Sequence, residues 1–569
     1  MPNAKGCRSE WNRPIGPDTL MKNHQPAFKD PNPDRIAGLN IERTSRRGGS
    51  RKFQRVIWIA TVVVGCGSVS AATWNIDNSG NWGTASNWSG TVPDAAGATA
   101  LLTFDITSNK TVTINISSRT VGVLTVGDYD YTPSGSVWNS YTLAASAGLS
   151  LILDNGASNS QINKTSRRYS TGTAAGDTIS APILLNGSLD IRNSGDGSLN
   201  FTTGGVTANS AGSKTITNMG TGAGKVVMSG VIGDGGGTVA VIQNSANSGL
   251  TLSGANTYSG NTRISAGMLT IGNNLALQNS VFDSSGTGTL AFSPGINTPT
   301  FGGLTNGANL TLAANVTALT LNPGAGVITT YSGNLGSATA GMTLTKQGAG
   351  TQILAGANTY NGNTLIESGR LLVNNTTGSG TGGGTVTVNS GATLGGSGTV
   401  SGAVNVTGSL APGAAVGTLA TGTLTMNSGS TFDFEVDSSA DLGVAADLQK
   451  VAGGLNLIGS VALTLNDLAS GKVAFAPGTM FSLLNYTGAW NQGHFTYNSA
   501  ALEDGGQFQA GLNLWQIDYN AATGGSNFNS QYAGGPDSFV NITAIPEPRA
   551  ALLGGLGVLI LLRRRRCHF

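Results

Sequence analysis

Residues 254–264 read Gly254-Ala255-Asn256-Thr257-Tyr258-Ser259-Gly260-Asn261-Thr262-Arg263-Ile264, and residues 356–366 read Gly356-Ala357-Asn358-Thr359-Tyr360-Asn361-Gly362-Asn363-Thr364-Leu365-Ile366. The stretches lie 102 residues apart, and extending them to Leu269 and Leu371 gives 11 identities in 16 positions. That exceeds what biased composition supplies and marks a stacked architecture, in which each unit buries its apolar edge against the next. Related runs precede both copies, Ser229-Gly230-Val231-Ile232-Gly233 and Ser332-Gly333-Asn334-Leu335-Gly336, so the repeated unit is longer than the motif.

Short alternating segments such as Leu250-Thr251-Leu252 and Thr262-Arg263-Ile264 read as strands with one face in and one face out, while the Gly-Asn pairs read as corners. On this reading Ile264 and Ile366 point inward. Asn256 and Asn358 occupy corners, where stacked equivalent asparagines can hydrogen-bond along the axis, and Tyr258 and Tyr360 cover the apolar strand edge. An Asn-Tyr pair that binds a ligand is the functional alternative.

Leu250, Leu252, Gly254, Asn256, Thr257, Tyr258, Gly260, Thr262, Ile264, Gly267 and Leu269 resemble the autotransporter-associated β-strand repeat. Leu354, Gly356, Asn358, Thr359, Tyr360, Gly362 and Thr364 carry the resemblance in the second copy, where Gln352 stands in place of the family's first Leu. The resemblance implies an all-β, right-handed parallel β-helix, assigned to residues 129–428 with repeats near 226–271 and 329–375.

Composition agrees with a β-solenoid. The chain has 569 residues and 86 Gly, about 15% and twice ordinary usage, with only 10% charged. Glycine does not recur at every third residue, which excludes collagen, and 39% hydrophobic content at a mean hydropathy of +0.02 excludes pervasive disorder. The overall charge of +2 hides an acidic body, because residues 73–548 hold 13 Lys and Arg against 23 Asp and Glu. A net charge of about −10 there removes the basic footprint that nucleic-acid binding needs. Cys7, Cys66 and Cys567 all lie in the end segments, so the body has no disulfide, thiolate metal site or Cys nucleophile.

Residues 1–72 read as a leader and signal peptide for the Sec translocon. Basic residues around Arg46 to Arg55 precede the apolar run Val56 to Gly65, and Ser70 and Ala72 suit cleavage before Thr73, with cleavage after Ala71 nearly equivalent. Val63-Val64-Gly65-Cys66 also resembles a lipoprotein box, in which Cys66 would be acylated. At the other end, residues 544–569 carry Pro546-Glu547-Pro548, an apolar segment at 550–562, then Arg563, Arg564, Arg565 and Arg566. This order resembles the PEP-CTERM sorting signal and implies processing by an exosortase-type protease. Arg549 departs from the small residue usual there, and 13 apolar residues span about 20 Å of a hydrocarbon core of about 30 Å, so a transient stop and a plain anchor both stay open.

Trp74, Trp82 and Trp88 suggest an N-terminal cap over residues 73–128, with stacking of sugar rings as its rival. From residue 429 to 543 longer alternating strands such as Thr431 to Asp437 suggest an antiparallel β cap. His494 is the body's single histidine and lacks a partner set for catalysis or metal binding. Asp433, Glu435 and Asp437 share a strand face about 6.5 to 7 Å apart, with Asp441 and Asp447 following. That spacing suits an inverting glycosidase or Ca²⁺, but a solvated face opposite Phe432, Phe434 and Val436 is the simpler reading. The expectation is a non-enzymatic exported surface or matrix protein without a cofactor, for adhesion or exopolysaccharide association; the rivals are a β-helix polysaccharide enzyme and a membrane-anchored carbohydrate binder.

Overall fold

The structure, a computed structural model, describes residues 71–129, 139–165, 176–528 and 538–546. Cys66 and the apolar run of the leader, Glu547, Pro548, the segment 550–562 and Arg563 to Arg566 lie outside the described residues. Among those described, no helix is long and apolar enough to cross a membrane.

The described chain is built of short strands with two 3-10 turns, Ala85–Asn87 and Leu442–Val444. One face is a continuous ladder of 17 parallel strands, from Ala72–Thr73 to Leu455–Leu457. A second face comprises two nine-stranded sheets, Gly80–Asn81 to Thr289–Phe292 and Ile328–Tyr331 to Ala500–Ala501. Smaller sheets of five, two and seven strands make the rest of the wall. The molecule is a parallel β-solenoid, and a coil takes between about 16 residues, from Thr393 to Ser409, and about 38, from Val123 to Gln161.

Alternation along each short strand sends every second side chain inward. Val386, Val404, Leu424 and Leu455 are successive in-register partners, and all four are fully buried. Ile264 and Ile366 are buried as expected. Gln352, the departure from the repeat pattern, lies just after the break in the second face between Phe292 and Ile328. It is fully buried, and its Oε1 accepts from the Leu304 N–H at 2.9 Å and the Thr329 hydroxyl at 2.8 Å, while its Nε2 donates to the Leu304 carbonyl at 3.0 Å. A leucine there would leave the Leu304 backbone groups without these partners.

Both expected cap boundaries move. The parallel ladder begins within the Trp-rich segment, since Ala72 and Thr73 pair with Ala100 and Leu101. Trp74, Trp82 and Trp88 are 0%, 0% and 4% exposed and pack edge to face, with centroids 5.3 Å apart for Trp74 and Trp88 and 4.9 Å for Trp82 and Trp88. They seal the first coils and present no ring face to a sugar, which removes that alternative here. At the other end Thr431–Val436 still pairs in parallel with Ser409–Pro412 and Val461–Asp467. Alternation has period two whichever way the partner runs, so the sequence pattern did not distinguish the two. Phe432, Phe434 and Val436 do point inward. Beyond isolated bridges, antiparallel pairing of strands first involves Met480–Tyr486, which pairs with Ser538–Ile545; that strand lies between Met480–Tyr486 and Asn513–Ala521.

Asp447 joins the solenoid to this cap. Its carboxyl accepts from the Gly417 N–H at 2.8 Å and the Glu435 N–H at 2.9 Å, and its carbonyl accepts from Asn527 Nδ2 at 2.6 Å. Burial pushes the Asp447 carboxyl up to about 8 against the pull of those two N–H donors, and the Glu435 charge adds to the rise. The folded state therefore holds a proton that the unfolded chain releases near 4, so this group's contribution to stability falls as pH rises from about 4 to about 8. Asp447→Asn should gain stability relative to wild type across that window, as read by thermal midpoints at stepped pH. A constant difference between the two proteins would contradict the assignment.

Candidate functional site

The repeat residues form a structural staple. Asn256 is 1% exposed; its Oδ1 accepts from the Ile232 N–H one coil earlier at 2.8 Å, and its Nδ2 donates to the Ala276 carbonyl one coil later at 3.0 Å. Asn358 repeats the arrangement with the Leu335 N–H at 2.8 Å and the Gly380 carbonyl. These asparagines bond to the backbone of flanking coils and not to one another, which corrects the expected side-chain ladder. The preceding runs around Ile232 and Leu335 are the coils beneath the motif, which explains why they recur with it.

Tyr258 and Tyr360 are buried, and their hydroxyls bond to Thr262 at 2.6 Å and Thr364 at 2.7 Å. Burial raises both phenols above their ordinary value. The Thr257 and Thr359 N–H groups donate to the Ile232 and Leu335 carbonyls, both at 2.9 Å. A Cβ added at Gly254 or Gly356 would collide with the Gly230 or Gly333 carbonyl, and one at Gly260 or Gly362 with Val239 or Met342. Every polar group of the motif named here is engaged within the fold, and the Asn-Tyr pair offers no surface to a ligand.

At the termini, Ala71 is exposed while Ala72 is 2% exposed and paired with Ala100. Pro546 is exposed and is the last residue described.

The five acids do not converge. Asp433 accepts from the Thr464 hydroxyl at 2.6 Å, and Asp437 accepts from the Ser439 N–H and hydroxyl, which hold its carboxyl below the usual range. Glu435 is raised by burial. Asp441 precedes the 3-10 turn at Leu442–Val444, and Asp447 is fully buried. No group of three His, Cys, Asp or Glu side chains placed to hold a metal ion occurs among the described residues.

His494, by contrast, belongs to a cluster that its isolation in sequence concealed. Its ring packs edge-on to Tyr519 at 4.8 Å and to Trp490 at 5.7 Å, while Trp490 and Tyr519 stack at 5.3 Å with an interplanar angle of 4°. Glu503 Oε2 lies 3.4 Å from His494 Nδ1. Tyr486, Gly488, Ala489, Trp490, Gln492, His494 and Asn520 line an open cleft of about 560 Å³. Two segments far apart in sequence meet there, joined through the antiparallel strands; the tryptophan beside an Asn-Gln-Gly turn was the only local sign.

Residues 249–271 and 344–373 match the family model described as the passenger-associated transport repeat. No curated protein matches the chain. Both matched stretches contain the Asn-Thr-Tyr staple just described, and over those residues the chain is similar to passenger-associated transport repeats.

Proposed function

We propose that this chain is an exported, non-enzymatic surface or extracellular-matrix protein of the passenger type, with the solenoid as a rigid scaffold. The observation that carries the reading is the engagement of the matched repeat. Asn256, Tyr258 and Thr262, like Asn358, Tyr360 and Thr364, are buried and bonded within or between coils, so the recurrent part of the sequence serves coil stacking. A repeat associated with transported passengers fits an exported body with a negative charge excess and no cysteine.

In this reading the signal peptide takes the chain through the Sec translocon, and Pro546-Glu547-Pro548 with its arginine cluster directs release by an exosortase-type protease. Cleavage after Ala71 suits the fold better than cleavage after Ala72, because Ala72 fills a buried place in the first strand. The short apolar segment favours a transient stop over a permanent anchor.

Two measurements test the proposal. Asn358→Ala removes hydrogen bonds to two coils and orphans a buried N–H and a carbonyl, so it should cost about 2 to 4 kcal/mol and speed proteolysis of neighbouring coils. Ser259→Ala, at an exposed corner, should stay within about 0.5 kcal/mol of wild type. Equal tolerance would contradict a structural role for the repeat. Mass spectrometry of the protein from fractionated cells should find an N-terminus at Ala72 or Thr73 and loss of residues 550–569, while Glu547→Ala should trap a membrane-associated precursor. A mature N-terminus at acylated Cys66, or wild-type envelope protein retaining Cys567 and Phe569, would overturn the processing scheme.

A further inference from the structure

We infer that the cleft at the C-terminal end of the solenoid is a binding site for an uncharged polysaccharide, held by sugar-ring faces on Trp490 and by hydroxyl contacts to Gln492 and Asn520. The inference deepens the surface-protein reading and rests on it only for the ligand being extracellular.

The cleft is rigid before any ligand arrives. Asn491 ties its turn to the coil beneath: Nδ2 donates to the Leu457 carbonyl at 3.0 Å, and Oδ1 accepts from the Leu457 N–H at 3.0 Å and the Gly493 N–H at 3.1 Å. A Cβ at Gly493 would overlap the Leu457 carbonyl, which fixes the approach of the turn. The Trp490 indole N–H donates to the Gly493 carbonyl at 3.0 Å, and the ring rests on Tyr519, whose hydroxyl accepts from the Phe495 N–H at 2.8 Å. With its donor engaged internally, Trp490 offers the cleft an apolar ring. Its volume falls in the range of about 300 to 1,000 Å³ common for ligand sites.

Two lining residues sit in backbone conformations that non-glycine side chains disfavour, Gln492 at φ 63° and Asn520 at φ 56°. Hairpin geometry accounts for the similar angles at Asn498 and Ser499, which join Phe495–Tyr497 to Ala500–Ala501. It does not account for Gln492. Asn520 falls where the register of Asn513–Ala521 against Ser538–Ile545 shifts between Asp518 and Ala521, and such bulges re-aim side chains beside sites. The Tyr486 hydroxyl donates to Asn520 Oδ1 at 3.1 Å and orients its amide. Gln492 is exposed, and its side chain makes no hydrogen bond to the described residues. Strain retained to present two amides beside an aromatic ring suits a ligand bearing hydroxyls on both edges and C–H groups on its faces.

Charge selects among such ligands. No lysine or arginine occurs between Lys472 and Arg549, whereas Glu503 and Asp504 flank the Tyr519 platform. The residues lining the cleft include no lysine or arginine to meet an anionic polymer. The Glu503 carboxylate faces His494, which leaves the Gln492 amide and the amino group of Asn520 to meet a ligand.

The test is native affinity electrophoresis of the full chain through gels carrying hydroxyethyl cellulose, xyloglucan, galactomannan or dextran, with polygalacturonate as the charged comparison. At least one neutral polymer should retard the wild type, and Trp490→Ala should weaken that retention about tenfold. Gln492→Gly removes the amide and relieves the backbone, so retention should fall while the thermal midpoint holds or rises. Failure of every neutral polymer to retard the protein, unchanged retention by both variants, or stronger retention by polygalacturonate would overturn the inference. Because this assay needs no export, its failure is distinguishable from failure of the processing scheme.

Discussion

Coils stacked at the strand separation of about 4.8 Å leave no space at their corners for a side chain directed at the neighbouring backbone. The rest of the structure follows from this constraint. Gly356 abuts the Gly333 carbonyl and Gly362 the Met342 carbonyl, and many other corners repeat the contact. At these corners glycine is a packing requirement, set by how closely one backbone must approach the next. The same closeness lets each asparagine reach the coils before and after it, so corner glycines and stapling asparagines occur together.

The interior is not uniformly apolar. Aliphatic columns such as Val386, Val404, Leu424 and Leu455 supply most of the burial, yet Gln352, Lys346 and the pair Lys164 and Asp177 sit among them. Each polar group meets a defined need. Gln352 satisfies backbone groups at a break in one face, and Lys346 donates to the Gln347, Gly348 and Ser368 carbonyls at 2.7 to 3.0 Å while burial pulls its ammonium down to about 8. Where the coil outline changes, backbone groups lose their ladder partners, and buried side chains replace them.

Much of this was legible in the sequence because the information is local. The repeat fixes which residues face inward, and Ile264, Ile366, Phe432 and Phe434 lie where alternation put them. Partner direction leaves no trace in alternation, so the parallel ladder extends beyond residue 429 and also back into the Trp-rich segment. Gln352 looked like a lapse in a motif because its partner, Leu304, is 48 residues away. The cleft was hidden for a related reason: Trp490 and Tyr519 acquire meaning only when antiparallel strands bring them together, and Trp490 is all that the sequence around His494 offers as a sign.

The position of Ser538–Ile545 bears on mechanics. This strand leads to Pro546 and is hydrogen-bonded on both sides, to Met480–Tyr486 and to Asn513–Ala521. Tension entering from the C-terminal side and directed along that strand loads both antiparallel ladders in shear, so many bonds resist together instead of opening one after another. A protein pulled from its C-terminal side would therefore meet resistance first in the cap that bears the cleft.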